Sequence, residues 1–208
     1  MVNASNLTYT YSSKVEFRYP DFRIAERDHL LVTGPSGSGK TTLLNLVAGF
    51  LPVQSGSLVI NGTEMVGLSA RKRDLVRKNN MGIVPQRPRA VQALTLMENM
   101  MLVSQLTGTE QTRQEASASL ERLGIGKHAD RKPEVLSVGE QQRLAIAMAS
   151  AHRPPIILAD EPTSSLDDAN ASIVVQLLVD QATQIGGALM VISHDQRLVE
   201  HFSNRLML

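Results

Sequence analysis

The segment HLLVTGPSGSGKTTLLNL, His29 to Leu46, restricts the fold more than any other part of the chain. HLLVTG is a continuous apolar run ending in glycine, which reads as a fully buried strand. Residues 40–50 have helical spacing. Between them, Gly34, Pro35, Ser36, Gly37, Ser38, Gly39, Lys40, Thr41 and Thr42 contain the pattern G-x-x-x-x-G-K-[ST], in the strand–loop–helix context it requires. The glycines let successive backbone N–H groups face one point, and the helix start adds its dipole there. Lys40 brings positive charge for the β- and γ-phosphates, and the Thr41 hydroxyl is placed to ligate Mg²⁺. The loop implies a nucleoside triphosphate but does not say what is done with it.

The rest of the chain supplies a sheet for this loop. Residues 15–19 (VEFRY) and 22–24 (FRI) alternate apolar and polar positions, as half-buried strands of an antiparallel edge do. SLVING (57–62) and MGIVPQ (81–86) read as short strands, and PPIILAD (154–160) and ALMVIS (188–193) as buried ones. Residues 94–106, 110–124 and 168–184 have helical spacing. Alternating strands and helices predict an α/β fold: a mostly parallel sheet core, an antiparallel β edge and an inserted α-helical subdomain at about 87–135. The whole chain, 1–208, is expected to form a single domain.

Composition removes several function classes. The chain has no cysteine, so disulfides and thiolate zinc sites are excluded. The formal net charge is +1, so nothing in the overall balance argues for nucleic acid, and none is expected as a partner. The basic run RKRDLVRK (71–78) is interrupted by Asp74 and reads as a solvated helix face. The N-terminal residues show no basic region followed by an apolar stretch, so no signal peptide is expected. AIAMASA and ALMVIS fall far short of the ~18 apolar residues that span a bilayer. A membrane role therefore needs a partner.

Three further motifs add chemistry. Asp160 and Glu161 end the run IILADE, where the strand delivers acids beside the loop; Asp160 suits magnesium and Glu161 suits an attacking water. Solvated charges at a strand end are the bland alternative. His194 follows the next buried strand in VISHD, at the same sheet edge. LSVGEQQR (136–143) opens with Ser137, Val138, Gly139 and Glu140. Ser137 and Glu140 fit a capping box ahead of Leu144, Ala147, Met148 and Ala151 at helical spacing.

The ordered set GPSGSGKTT, Gln86, LSVGEQQR, IILADEPTSSLD and VISHD covers most of the chain. It resembles the nucleotide-binding domain of ATP-binding cassette (ABC) proteins, which are P-loop NTPases. The resemblance implies an ATPase using ATP and Mg²⁺. It also implies a second copy of the chain, facing head to tail, whose signature helix closes over this chain's ATP. By the same resemblance Ser137, Gly139 and the helix start meet the partner's γ-phosphate. Tyr11 stacks on adenine, Gln86 senses magnesium and water, and Ser164, Ser165, Leu166 and Asp167 form the loop that crosses the dimer. His194 is the γ-phosphate switch. Thr41, Gln86 and Asp160 form the metal set.

The signature departs from LSGGQ at Val138 and Glu140. Val138 adds bulk, and Glu140 adds negative charge near an anion site unless it folds back onto its cap. The chain ends at RLML soon after His194, so the last strand is expected to be short or missing. No C-terminal regulatory domain of the kind seen in some importer ATPases is expected. A single cassette without a long heptad stretch implies a transporter subunit, cytoplasmic and held to the inner face of the membrane by integral membrane permease subunits. The SVGEQQR variant resembles the lipoprotein-release and macrolide-export group. An ATPase of a small-solute importer, or a stand-alone P-loop small-molecule kinase, are the alternatives. Residues 87–105 hold the expected docking surface, where Met97, Met100 and Met101 form either an adaptable apolar face or part of the insert's core.

Overall fold

A computed structural model of the chain describes residues 1–11 and 15–208. Elements follow in the order β1 (Val2–Thr10), β2 (Glu16–Arg18), β3 (Phe22–Ile24), β4 (His29–Thr33), α1 (Lys40–Val47), β5 (Ser55–Ile60), β6 (Thr63–Glu64) and α2 (Ala70–Asn80). Then come β7 (Met81–Val84), α3 (Leu96–Thr107), α4 (Arg113–Arg122), α5 (Val138–Ser150), β8 (Ile156–Asp160), α6 (Asp168–Gln184), β9 (Ala188–Ile192) and β10 (Asn204–Met207). Two sheets result. One is entirely parallel, in the order β10-β4-β9-β8-β7. The other is antiparallel and is built around β1, which pairs with β2, β3 and β5.

The parallel strands are apolar throughout because both of their faces are covered. Alternate residues point to opposite sides. Leu30, Val32, Ile156, Leu158, Met190 and Ile192 pack with α1 and the antiparallel sheet. Leu31, Ile157, Ala159, Leu189 and Val191 pack with residues of α3, α4, α5 and α6. The polar helix α2, by contrast, has no buried residue and is the solvated face expected of the basic run.

Two expectations need correction, and one left open is decided. The sequence reading starts its strands at residue 15, yet β1 is the centre of the antiparallel sheet. Its buried positions are Val2 and Ala4, then Leu7 and Tyr9. The period of two slips at a bulge between Ser5 and Thr8, where Asn6 has φ 50°, and a bulge turns the following side chains over. Second, Asn204–Met207 form a full strand at the sheet edge, hydrogen-bonded to β4. The alternating polar and apolar residues of NRLM fit an edge, which buries less than a central strand. Of the two readings left open for the methionines, Met97 and Met100 take the core one, at 3% and 0% exposed, while Met101 remains partly accessible. The residues between β7 and α5 do form α3, α4 and two short 3₁₀ turns. Among the described residues no helix is long and apolar enough to cross a membrane.

Candidate functional site

The P-loop leaves the C-terminal end of β4 and enters α1 at Lys40. Gly39 caps α1 with φ 96°. A Cβ there would lie 2.5 Å from Phe17 Cδ1, so both backbone and neighbour require glycine. The Tyr19 hydroxyl donates to the Gly39 carbonyl at 3.1 Å, and burial pushes its phenol well above the usual range. No side chain caps α1 and no acid lies in its first turn, so its N-terminal donors face an open loop. The Lys40 ammonium donates to the carbonyls of Gly34 (2.8 Å) and Pro35 (2.9 Å). Those bonds curl Gly34, Pro35, Ser36, Gly37 and Ser38 around the ammonium. Thr41 is exposed at the helix start, whereas Thr42 is buried and meets the Tyr11 hydroxyl at 3.2 Å. The Tyr11 ring packs edge-on against Tyr9 and Phe17 and remains 38% exposed.

Strand register places the acids beside this loop. Asp160 aligns with Ile192, and Ile192 aligns with Val32, so β8, β9 and β4 end together. One carboxyl oxygen of Asp160 is buried without a hydrogen-bond partner among the described residues. Burial and the adjacent Glu161 push its carboxyl up, and Lys40 opposes this. Glu161 has φ 45°, a left-handed conformation that is uncommon outside glycine and is found at sites under functional constraint. Its N–H donates to the Ile192 carbonyl at 2.9 Å. Its carboxylate meets the His194 ring Nδ1 at 2.8 Å and accepts from the Ser193 hydroxyl at 3.0 Å. Asp195 braces the same corner. It accepts from the Thr163 hydroxyl at 2.7 Å and from Arg197, whose guanidinium holds its carboxyl down at about 2.

The signature residues form a second site, turned on itself. The Ser137 N–H and hydroxyl both donate to one oxygen of Glu140, at 3.0 and 2.9 Å, and the Glu140 N–H donates back to the Ser137 oxygen at 3.3 Å. Glu140 thus folds onto its cap, and the Ser137 N–H holds its carboxyl below the usual range. Its other oxygen lies 3.4 Å from His128 Nε2 and 3.8 Å from Lys127 Nζ. Val138 is 53% exposed. Gly139 is buried, and a Cβ there would come within 3.2 Å of Asn170. Asn170 is in turn held by Asp167, the cap of α6. A groove of about 260 Å³ runs between Val138, Gln86 and Ser164, Ser165 and Leu166. The Gln86 amide donates to the Ser164 hydroxyl across it at 3.3 Å.

The expected residues therefore fall into two groups. Residues 34–42, Asp160, Glu161 and His194 share one sheet edge. Residues 137–140, Gln86 and the 164–167 loop share another surface. Among the described residues no hydrogen bond joins 137–140 to 34–42. Sequence reasoning missed Ser193, Tyr19 and the Thr163–Asp195–Arg197 brace. Ser193, directly before the histidine in VISHD, was the most readable of them, since a serine ending an apolar strand needs a polar partner.

Comparison with known proteins gives a consistent result. The ABC transporter family model matches residues 17–164. The lipoprotein-releasing system ATP-binding protein LolD of Legionella pneumophila is 36% identical over 95% of this chain and 88% of its own length. An uncharacterised ABC transporter ATP-binding protein of Mycobacterium tuberculosis is 35% identical over 97% of this chain and 84% of its own. The dimeric ATP-binding cassette MJ0796, solved with ADP and Pi in a post-hydrolysis state, superposes with a TM-score of 0.87 at 30% identity, covering 100% of this chain and 94% of that one. This chain belongs to the ABC transporter family, as an ATP-binding cassette whose activity is the hydrolysis of ATP coupled to transport.

Proposed function

We propose that the chain powers a lipoprotein-release or macrolide-export type of machine, working as a head-to-tail homodimer beneath separate membrane subunits. One observation carries the dimer: among the described residues no hydrogen bond joins Ser137 and its helix start to the P-loop of the same chain, and the Ser137 hydroxyl bonds Glu140 instead. Similarity to LolD supports the cargo class. A stand-alone kinase gives the signature helix no task.

In this reading ATP phosphates take the open donors of α1 and the Lys40 ammonium, and adenine lies on Tyr11. Residues present suit Mg²⁺. Asp160 offers a buried, unpartnered carboxyl oxygen and Thr41 stands at the start of α1; Gln86 would reach them from two residues past the end of β7, which pairs with β8, while its amide N–H holds Ser164. Bound there, the ion supplies charge neutralisation of the phosphates. Glu161 takes a proton from water as the water oxygen attacks the γ-phosphorus. The bond to the bridging oxygen breaks, leaving ADP and phosphate. His194 and Ser193 hold the carboxylate in line for that step. On closure, the partner's Ser137 exchanges its Glu140 contact for the γ-phosphate, and residues 164–167 cross the interface.

Permease docking falls on an apolar groove of about 260 Å³ lined by Phe50, Ile83, Pro85, Pro88 and Met148. It adjoins Gln86, so contact there reaches the nucleotide through the loop that bonds Ser164. The chain would then sit on the cytoplasmic face of the membrane through this groove.

The test is solution mass. Glu161→Gln with ATP should double in mass, and a persistent monomer contradicts the dimer. Co-purified with membrane subunits encoded by neighbouring genes, the wild-type chain should release an acylated protein from vesicles. Inward movement of a small solute instead would assign it to the importers.

A further inference from the structure

Arg197 holds two acids that belong to different parts of the molecule. The first is Asp195, the residue after His194, whose side chain is 11% exposed. Arg197 Nε donates to its two oxygens at 2.8 and 3.0 Å, and Nη2 donates at 2.7 Å. The second is Asp168, 29 residues earlier and first in α6, which pairs with Nη1. Asp195 also caps the 3₁₀ turn Gln196–His201, accepting from the Arg197 backbone N–H at 3.0 Å. That cap needs no guanidinium, so the reach to Asp168 goes beyond what the turn itself demands.

The two acids bracket the loop 164–167. The hydroxyl of Thr163, which is fully buried, donates to Asp195 at 2.7 Å. Thr163 immediately precedes the loop and Asp168 immediately follows it, so one ion-paired unit grips both of its roots. Between the grips the loop closes on itself. The Leu166 N–H donates to the Thr163 carbonyl at 3.0 Å, and Asp167 caps α6. From the same unit a hydrogen-bonded chain runs to the carboxylate that faces the attacking water in the proposed function. The Asp195 N–H donates to the Ser193 oxygen at 3.1 Å, and the Ser193 hydroxyl donates to Glu161 at 3.0 Å. Contiguous networks of this kind carry coupling between sites, and a mutant cycle is the way to measure it.

We propose that Arg197 is a positioning residue: it ties the loop 164–167 to the turn after His194, so that a partner's contact with that loop sets the Glu161 carboxylate through Asp195 and Ser193. The inference rests on the head-to-tail dimer of the proposed function. Neither Arg197 nor Asp168 binds nucleotide in that reading, so their loss acts on the chemical step and not on ATP affinity.

The test is a double-mutant cycle on steady-state phosphate release by the full chain, with Arg197→Ala, Asp168→Asn and the two combined. Arg197→Ala should lower kcat about tenfold, as expected for a reacting group held out of line, and leave KM for ATP within about twofold. Asp168 is 94% exposed, and an exposed ion pair adds little to stability, so Asp168→Asn removes the outer arm without disturbing the fold. It should lower kcat about threefold with an unchanged melting temperature. The double variant should be no slower than Arg197→Ala, because both changes act through one guanidinium. Three results overturn the proposal: an unchanged kcat in Asp168→Asn, effects that multiply in the double variant, or a rise in KM in place of a fall in kcat. Where Arg197→Ala does not fold, Asp168→Asn decides alone. The dimer is checked separately in Glu161→Gln with Arg197 and Asp168 intact. If that chain stays monomeric with ATP, the dimer reading fails and takes this proposal with it; if it pairs while kcat is insensitive to Asp168, only this proposal fails.

Discussion

In the proposed function the starts of α1 and α5 both meet phosphate, and they differ in one respect. α1 begins at a glycine with no side-chain cap and no acid in its first turn. α5 begins with a closed capping box whose glutamate occupies the donors of Ser137. The first is an anion site with its donors free; the second already holds an anion of its own. On that proposal the same helix dipole gives unconditional binding at α1 and conditional binding at α5. Phosphate reaches Ser137 only by displacing Glu140, and Lys127 and His128 stand ready on the carboxylate's second oxygen.

The contrast can be broken by substitution, beginning with the largest effect. Glu161→Gln should lower phosphate release by about 10²–10⁴-fold while leaving ATP bound, because only the water-activating carboxylate is lost; unchanged turnover removes Glu161 from the chemistry. Lys40→Ala should weaken ATP affinity of the monomer by about 10–100-fold in calorimetry, the worth of a charge-assisted phosphate contact. Ser137→Ala should leave that monomer affinity unchanged and weaken ATP-driven dimerisation by roughly tenfold in sedimentation. A parallel fall in monomer affinity would mean the two helix starts serve one protomer. Glu140→Gln should keep dimerisation or strengthen it by about two- to five-fold, because it removes the competing charge. A large loss of hydrolysis in that variant contradicts the exchange.

Glu140→Gln also has a smaller signature in stability. The folded protein holds the Glu140 carboxyl below its ordinary value. Its contribution is complete above that ordinary value and disappears as pH falls through the lowered one. At neutral pH the variant should therefore melt slightly lower, by an amount matching about 0.5 kcal/mol for a cap contact. The difference should close in acid, and one that grows there would refute the cap assignment.

Legibility in the sequence followed how local each feature is. The P-loop, the capping box of Ser137 and Glu140, and the buried strands β8 and β9 each depend on a few adjacent residues. Their types and spacing were readable. β1 was not, because the bulge at Asn6 breaks the alternation that marks a strand. The fate of Met97 and Met100 was open because a methionine suits core and surface equally, and only the packing of α3 against its neighbours decides. Ser193 and His194 on Glu161, or Arg197 on Asp195 and Thr163, depend on where a left-handed residue and two strand ends meet. The helical spacing of residues 168–184 matches helix α6 to the residue, because its apolar period runs unbroken from the cap at Asp167.

The most direct test of two helix starts serving two protomers is a mixture of crippled chains. Lys40→Ala retains a sound signature and Ser137→Ala retains a sound P-loop, so a homodimer of either has no complete site. Mixed in equal amounts with ATP, they should form heterodimers holding one complete site, and ATP hydrolysis should rise well above that of either chain by itself. If the mixture hydrolyses no faster than the sum of its parts while heterodimers are present, each P-loop is served by its own chain and the shared site is wrong.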